Sequence, residues 1–174
     1  PHKETDPTDP ICSYGIIKLA IEKYIQMFYA LYNLPYSILR LSNPYGPDFS
    51  IEKPQGAIHH FISKIIKNEV INVWGDGSVE RDFIYIDDAI SAIIAATYDS
   101  SPQCLLNIGS GQSTSIKTLI DILEDVSGIC GTVSYEPSRS FDLQKSLLNV
   151  DKAKCILGWE PKISISEGIK STYL

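Results

Sequence analysis

Apolar residues recur at helical spacing between positions 13 and 32, at Ile17, Ala20, Ile21, Tyr24, Phe28 and Leu31. That spacing predicts a long helix, which Asn33 and Pro35 stop. The unbroken run YSILRL at 36–41 reads as a buried strand, and Asn43-Pro44-Tyr45-Gly46-Pro47 as a tight loop. A second helix is expected over about 55–67, with Ile58, Phe61, Ile62, Ile65 and Ile66 as its core stripe. Short strands follow at 71–74, closed by Gly75-Asp76-Gly77, and at 82–86. Asp87 is placed to cap a helix reaching Tyr98. A strand at 104–108 ends in Gly109-Ser110-Gly111; Ser115 then caps a helix to about Val126, which Gly128 stops. The rest reads as a strand at 132–135, a polar loop and an extended stretch at 147–150. Two helices close the chain, one capped by Asp151 and ending at Gly158, the other opened by a Ser164/Glu167 capping box. Strands and helices alternate, so the class is α/β. The strands are too few and too short for a complete doubly wound sheet.

Composition narrows the partners. The 174 residues are 44% hydrophobic and 21% charged, ordinary for a globular domain with one real core. No apolar run approaches the roughly 20 residues of a membrane span. The first residue is Pro1, so the start is expected to be cut or processed, and no signal peptide opens the chain. A net charge of −6 argues against nucleic acid or an anionic membrane as the main partner. An anionic small ligand would then need a few placed cations, and the arginines are Arg40, Arg81 and Arg139 alone. Cys12, Cys104, Cys130 and Cys155 show no C-x2-C spacing. Free thiols in a cytoplasmic protein are the expectation, not a zinc or disulfide framework.

Several groups could carry chemistry. Tyr14 and Lys18 lie one helical turn apart and share a face. A phenol is a poor base at neutral pH, but a neighbouring ammonium favours the phenolate, so such a pair can take a proton from a hydroxyl being oxidised. On spacing alone the signal is weak, and an exposed lysine beside a half-buried tyrosine is the ordinary reading. Gly109-x-Gly111, between strand and helix, has the context of a dinucleotide loop, yet Thr114 stands where a third glycine belongs. Arg81 could fork onto a phosphate or pair with Asp82 or Glu80. Arg139 and Asp142 could read a diphosphate and a ribose, or pair with each other. His59 and His60 are adjacent on a helix and make a poor metal pair, and Asp87/Asp88 read as helix capping.

In order and spacing these segments resemble the extended short-chain dehydrogenase/reductases, specifically their UDP-glucose 4-epimerase-like members. Ser13-Tyr14-Gly15-Ile16-Ile17-Lys18 is similar to that family's Y-G-x-x-K, and Leu39 to Pro47 to its L-R-x-x-N-x-Y-G-P. Gly75-Asp76-Gly77 with Arg81 to Asp88, Asn107 to Gly111, Arg139-x-x-Asp142, Asp151-x-x-Lys154 and Leu157-Gly158-Trp159-x-Pro161 complete the run. The resemblance implies the C-terminal part of an NAD(P)-binding Rossmann-like fold over 1–50, carrying the catalytic helix and the following strand. A smaller nucleotide-sugar-binding domain would span 51–174, with some segments returning to the Rossmann sheet. It implies NAD as cofactor, a UDP-sugar as substrate and a homodimer. Tyr14 would be the catalytic base, with Lys18 holding the nicotinamide ribose and Pro44 lying against the cofactor. Asn43, Arg81 and Arg139 would meet the diphosphate or sugar, Asp142 the nucleotide ribose, and the main chain near Val73 and Trp74 the base; Arg40 reads as structural. The implied reaction is 4-epimerisation through a transient keto sugar. A dehydratase, decarboxylase or reductase of the same family is one alternative, and a non-catalytic nucleotide-sugar-binding remnant is another. The family's glycine-rich fingerprint is absent, and His59 and His60 stand where its members often carry Pro or Asn.

Overall fold

The computed structural model describes residues 1–47, 50–98, 103–139 and 143–173. Its elements run α1 (Ser13–Tyr32), β1 (Tyr36–Leu41), β2 (Asn43–Tyr45), α2 (Ala57–Ile66), β3 (Ile71–Trp74), β4 (Glu80–Arg81), β5 (Phe83–Tyr85) and α3 (Ile86–Tyr98). They continue β6 (Gln103–Ile108), β7 (Thr114–Ser115), α4 (Ile116–Ser127), β8 (Val133–Glu136), β9 (Lys145–Ser146), α5 (Asp151–Leu157) and α6 (Ile165–Tyr173).

Two apolar clusters organise these elements. In one, β1 pairs parallel with β6. Ile84, Leu106 and Ile108 pack there against Ala89 and Ala92 of α3 and Ala153 of α5. The alanines let the helices approach the strands closely. Trp159 seals this core, and its indole N–H donates to Ser91 Oγ at 2.8 Å. In the other cluster, β3 pairs parallel with β8 and β2 with β5, under a cover of α2, α4 and α6. Ile58, Ile62, Ile71, Leu119, Leu123 and Ile169 are fully buried in it. Each such side chain contributes about 1.5–3 kcal/mol by leaving water. The chain therefore crosses between the cores several times, and the segments around 84–108 and 150–159 serve the β1–β6 sheet.

Several boundaries depart from the sequence pattern for physical reasons. The Asn43–Tyr45 stretch is a strand, not a loop, because its main chain pairs with Phe83–Tyr85. The expected strand at 82–86 is broken at Asp82, where the chain changes partners: β4 lies between β7 and β9, whereas β5 lies beside β2. Helix α3 already begins at Ile86, so Asp87 sits in its first turn and is not its cap. Asp88 is no cap either: it is buried and accepts the main-chain N–H groups of Lys162 and Ile163 at 3.0 and 2.9 Å. Val150, not Asp151, is the N-cap of α5. The expected extended stretch at 147–150 begins earlier, with β9 at Lys145–Ser146, and continues to a parallel bridge of Leu148 with His2. The Ser115 cap and the Ser164/Glu167 box form as their spacing predicts.

Helix α1 has no buried residue. It is tied to β1 by a two-pronged Glu22–Arg40 pair, at 2.8 and 2.7 Å, and by an edge-to-face contact of Tyr29 with Tyr36. Arg40 is thus structural, and only Ile38 of the expected buried strand is buried. Ile16, Ile17, Ile21, Phe28 and Leu31 of α1 face solvent, as do Ile90, Ile93 and Ile94 of α3. Among the described residues, β1 has no neighbour on the edge opposite β6. Surface of this kind associates. Sedimentation velocity on the 174-residue chain is expected to show concentration-dependent self-association that Ile17→Lys with Phe28→Lys suppresses. A monomer at every concentration would contradict this.

Candidate active site

Tyr14 and Lys18 stand on the first turns of α1, where the chain enters the helix from the polar lead-in 7–10. A Cβ at Gly15 would lie 2.9 Å from Pro10 Cβ, so the glycine lets the lead-in pass close to the helix. The Lys18 ammonium lies 5.4 Å from the centre of the Tyr14 ring. Both side chains are exposed and line an open cavity of about 910 Å³, with Ser42, Pro44 and Leu143 on its other walls. Ser42 Oγ is buried without a hydrogen-bond partner.

A second cavity, of about 580 Å³, adjoins the first, and Pro44 lines both. Its walls are Asn43 of β2, the first turns of α2, β3 with Val73 and Trp74, and the two arginines Arg81 and Arg139. No carboxylate is among its described lining residues, although the chain carries a net charge of −6. Positive charge is therefore gathered where an anion could sit, and the described acidic groups lie elsewhere.

Local structure fixes each of these groups. The Asn43 side-chain amide donates to the Asp82 carbonyl at 2.7 Å, and the Asn43 main-chain N–H donates to the same oxygen at 3.1 Å. The Arg81 guanidinium donates to the carbonyls of Glu80 and Leu143 at 2.8 and 2.7 Å. It does not form the ion pair with Asp82 or Glu80 that the sequence allowed: Glu80 pairs with Lys145, and the Asp82 carboxylate turns inward. Arg139 lies over the face of Trp74, 4.1 Å from the ring centre. The Val73 side chain is buried in the core. On β3, the N–H groups of Ile71 and Gly75 donate to β8 and its flank, at Thr132 and Glu136, 2.8 and 2.9 Å away. Strand alternation puts the main-chain groups of Asn72 and Trp74 on the opposite edge. Asp142 lies outside the described residues.

Tyr45 also lines the second cavity. Burial is the main reason its phenol is pushed far above the ordinary value, with Tyr85 and Asp88 adding to the effect. It donates to the Ile165 carbonyl at 3.3 Å and stays neutral, so it is no candidate for a base. The Gly109-Ser110-Gly111 turn already holds an anion of the chain's own: the Ser110 N–H and Oγ donate to Asp82 Oδ1 at 2.7 and 2.8 Å. A Cβ at Gly109 would collide with that carboxylate.

Two contributors were not identified from the sequence. Asp82 looked like an arginine's neighbour, yet it is fully buried and joins β4, the β6–β7 turn and Leu148. His59 Nδ1 lies 2.8 Å from the Gln55 carbonyl, and its Nε2 lies 2.8 Å from the Gly46 carbonyl. The ring thereby links α2 to the end of β2, two walls of the same cavity. Glycine at 109 was the trace of the first; a contact 13 residues away left none of the second.

The chain is similar to several known proteins. A sequence model described as the NAD dependent epimerase/dehydratase family matches residues 1–109. A putative UDP-glucose 4-epimerase of Methanocaldococcus jannaschii is 36% identical over 170 residues, covering 98% of this chain and 55% of the relative. Among solved structures, a Thermotoga maritima UDP-glucose 4-epimerase with UDP-glucose superposes with a TM-score of 0.94 at 36% identity, covering 99% of this chain and 56% of that one. A Bacillus cereus UDP-glucuronic acid 4-epimerase with UDP-glucuronic acid and NAD gives 0.89 at 29% identity, over 98% and 54%. The chain spans about half the length of the curated relatives it matches. It carries the partial α/β fold of the extended short-chain dehydrogenase/reductases, and it belongs to the NAD-dependent epimerase/dehydratase family.

Proposed function

We propose that this chain forms the substrate-binding and proton-transfer part of an NAD-dependent UDP-sugar 4-epimerase. The observation that carries the reading is the cavity with two arginines and no described acidic lining in a chain of net charge −6, adjoining the cavity of Tyr14 and Lys18. A pyrophosphate suits two guanidiniums, which bind its oxygens in a fixed fork. The edge of β3 away from β8, unpaired among the described residues, offers alternating main-chain acceptors and donors, which suit the imide edge of a pyrimidine. Asn43, anchored by two bonds to one carbonyl, lines the second cavity beside Pro44, which lines both. Asp142 remains the proposed partner of the ribose hydroxyls.

The donor set in the first cavity fits the nicotinamide–ribose part of NAD: a phenol and an ammonium would hold ribose hydroxyls, and the Pro44 ring offers an apolar wall. Bound NAD would supply the hydride acceptor and donor. Tyr14 Oη takes the proton of the sugar 4-hydroxyl and later returns it. Lys18 brings an ammonium near that phenol ring and would orient the ribose. Arg81 and Arg139 hold the diphosphate throughout, so the sugar can turn without the nucleotide leaving.

The test joins this chain to a dinucleotide-binding half and supplies UDP-glucose, UDP-galactose, UDP-glucuronate or dTDP-glucose in turn. Anomeric proton NMR is expected to show one UDP-sugar relaxing to a mixture of its 4-epimers. A 4-keto-6-deoxy product would make the protein a dehydratase, and no conversion of any of the four would contradict the reading.

A further inference from the structure

We infer that the indole of Trp74 is a positioning residue for Arg139, presenting that guanidinium to the ligand's phosphates, and that it is not a platform for the base. The inference rests on the nucleotide-sugar reading of the second cavity. Arg139 follows β8 in a loop, and a long side chain there loses rotamer freedom when it binds an anion. Its guanidinium lies 4.1 Å from the centre of the Trp74 ring, within the range of a cation–π contact. Trp74 ends β3, a strand held in register with β8 from Ile71↔Val133 to Trp74↔Glu136. The ring is thus anchored to a paired strand and offers the guanidinium a fixed face. Both residues line the cavity.

This arrangement assigns the two parts of Trp74 to different ligand groups. Its main chain lies on the edge of β3 away from β8, where a pyrimidine could be read. The ring face, covered by Arg139, serves the phosphates at one remove. Loss of the ring should therefore weaken every ligand that carries the diphosphate and leave the nucleoside alone.

The experiment measures dissociation constants of UDP, inorganic pyrophosphate and uridine for the wild-type chain, Trp74→Phe, Trp74→Leu, Arg139→Ala and the Trp74→Leu/Arg139→Ala double variant. Trp74→Leu is expected to weaken UDP and pyrophosphate by about three- to tenfold, the range of a half-exposed cation–π contact, with uridine unchanged. Trp74→Phe, which keeps an aromatic face, should recover most of the loss. In the Arg139→Ala background the leucine should cost nothing further, because the two residues act as one unit. Equal losses for uridine and UDP would overturn the proposal by placing the ring against the base. Additive losses in the double variant would overturn it by making the two residues independent. If wild type bound neither UDP nor pyrophosphate, the nucleotide-sugar reading itself would fall and this inference with it, an outcome distinct from the other two.

Discussion

Tyr14→Phe, made in a protein that joins this chain to a dinucleotide-binding half, is expected to lower turnover by about two orders of magnitude or more. UDP affinity should stay within about twofold, since the lost group acts on the transition state and not on nucleotide binding. Tyr14 lies in the cavity that adjoins the arginine-lined one, and the phenol of Tyr45, which lines the arginine cavity, is held neutral by burial. A general base must meet the hydroxyl it deprotonates: the Tyr45 phenol is engaged with the Ile165 carbonyl, whereas the Tyr14 side chain is exposed to its cavity near the Lys18 ammonium. Lys18→Met should lower turnover too and should also weaken NAD, because its ammonium is assigned to the ribose as well as to the phenol. Turnover retained in Tyr14→Phe would remove the tyrosine from its role. Equal loss of UDP binding would show that the residue belongs to the nucleotide site instead.

Asp82→Ala is the largest expected loss of stability. The carboxylate is fully buried and accepts three donors: the Ser110 N–H at 2.7 Å, Ser110 Oγ at 2.8 Å and the Leu148 N–H at 3.3 Å. Alanine leaves these groups buried with fewer partners. The cost is about 3 kcal/mol, because bonds to a charged acceptor are the strong ones. For a chain of this size that corresponds to a fall in Tm of roughly 6–12 °C. Asp82→Asn keeps one acceptor oxygen but turns an amide N–H₂ toward a donor, so about half of that loss is expected. Glu160→Ala removes only an exposed pair with Lys154 and should leave Tm nearly unchanged. Differential scanning calorimetry on the three variants checks the order. An unchanged Tm in Asp82→Ala would mean that the β4–β5 junction does not depend on its carboxylate. The same junction positions Asn43 and Arg81, so a weakened fold here should also weaken UDP.

The elements that could be read from the chain were those whose cause is local. The bounds of α1 follow from its apolar repeat and from Asn33, whose left-handed φ of 53° ends the helix. Gly128 and Gly158 end α4 and α5 in the same conformation, with φ of 69° and 62°. Elements decided by distant partners were not readable. Asn43-Pro44-Tyr45 carries turn residues, and pairing with residues 83–85 makes it a strand. Asp88 looks like a helix cap until the segment at 162–163 folds against it.

The candidate site divides in the same way. The order of the motifs singled out Tyr14, Lys18, Asn43, Pro44, Trp74, Arg81 and Arg139. Nothing in the sequence showed that these line two adjoining cavities joined at Pro44. Nor did it show that Arg81 would be held by carbonyl oxygens and Arg139 by an indole. Those contacts depend on residues brought together by the second core, where no local rule operates.

Isothermal titration of UDP into the 174-residue chain puts the central claim, two guanidiniums gathered to hold a nucleotide diphosphate, to its most direct test. The account predicts saturable one-to-one binding that weakens about tenfold or more in Arg81→Ala and in Arg139→Ala, and that declines with rising salt. Binding that ignores both substitutions, or none at all, would contradict it.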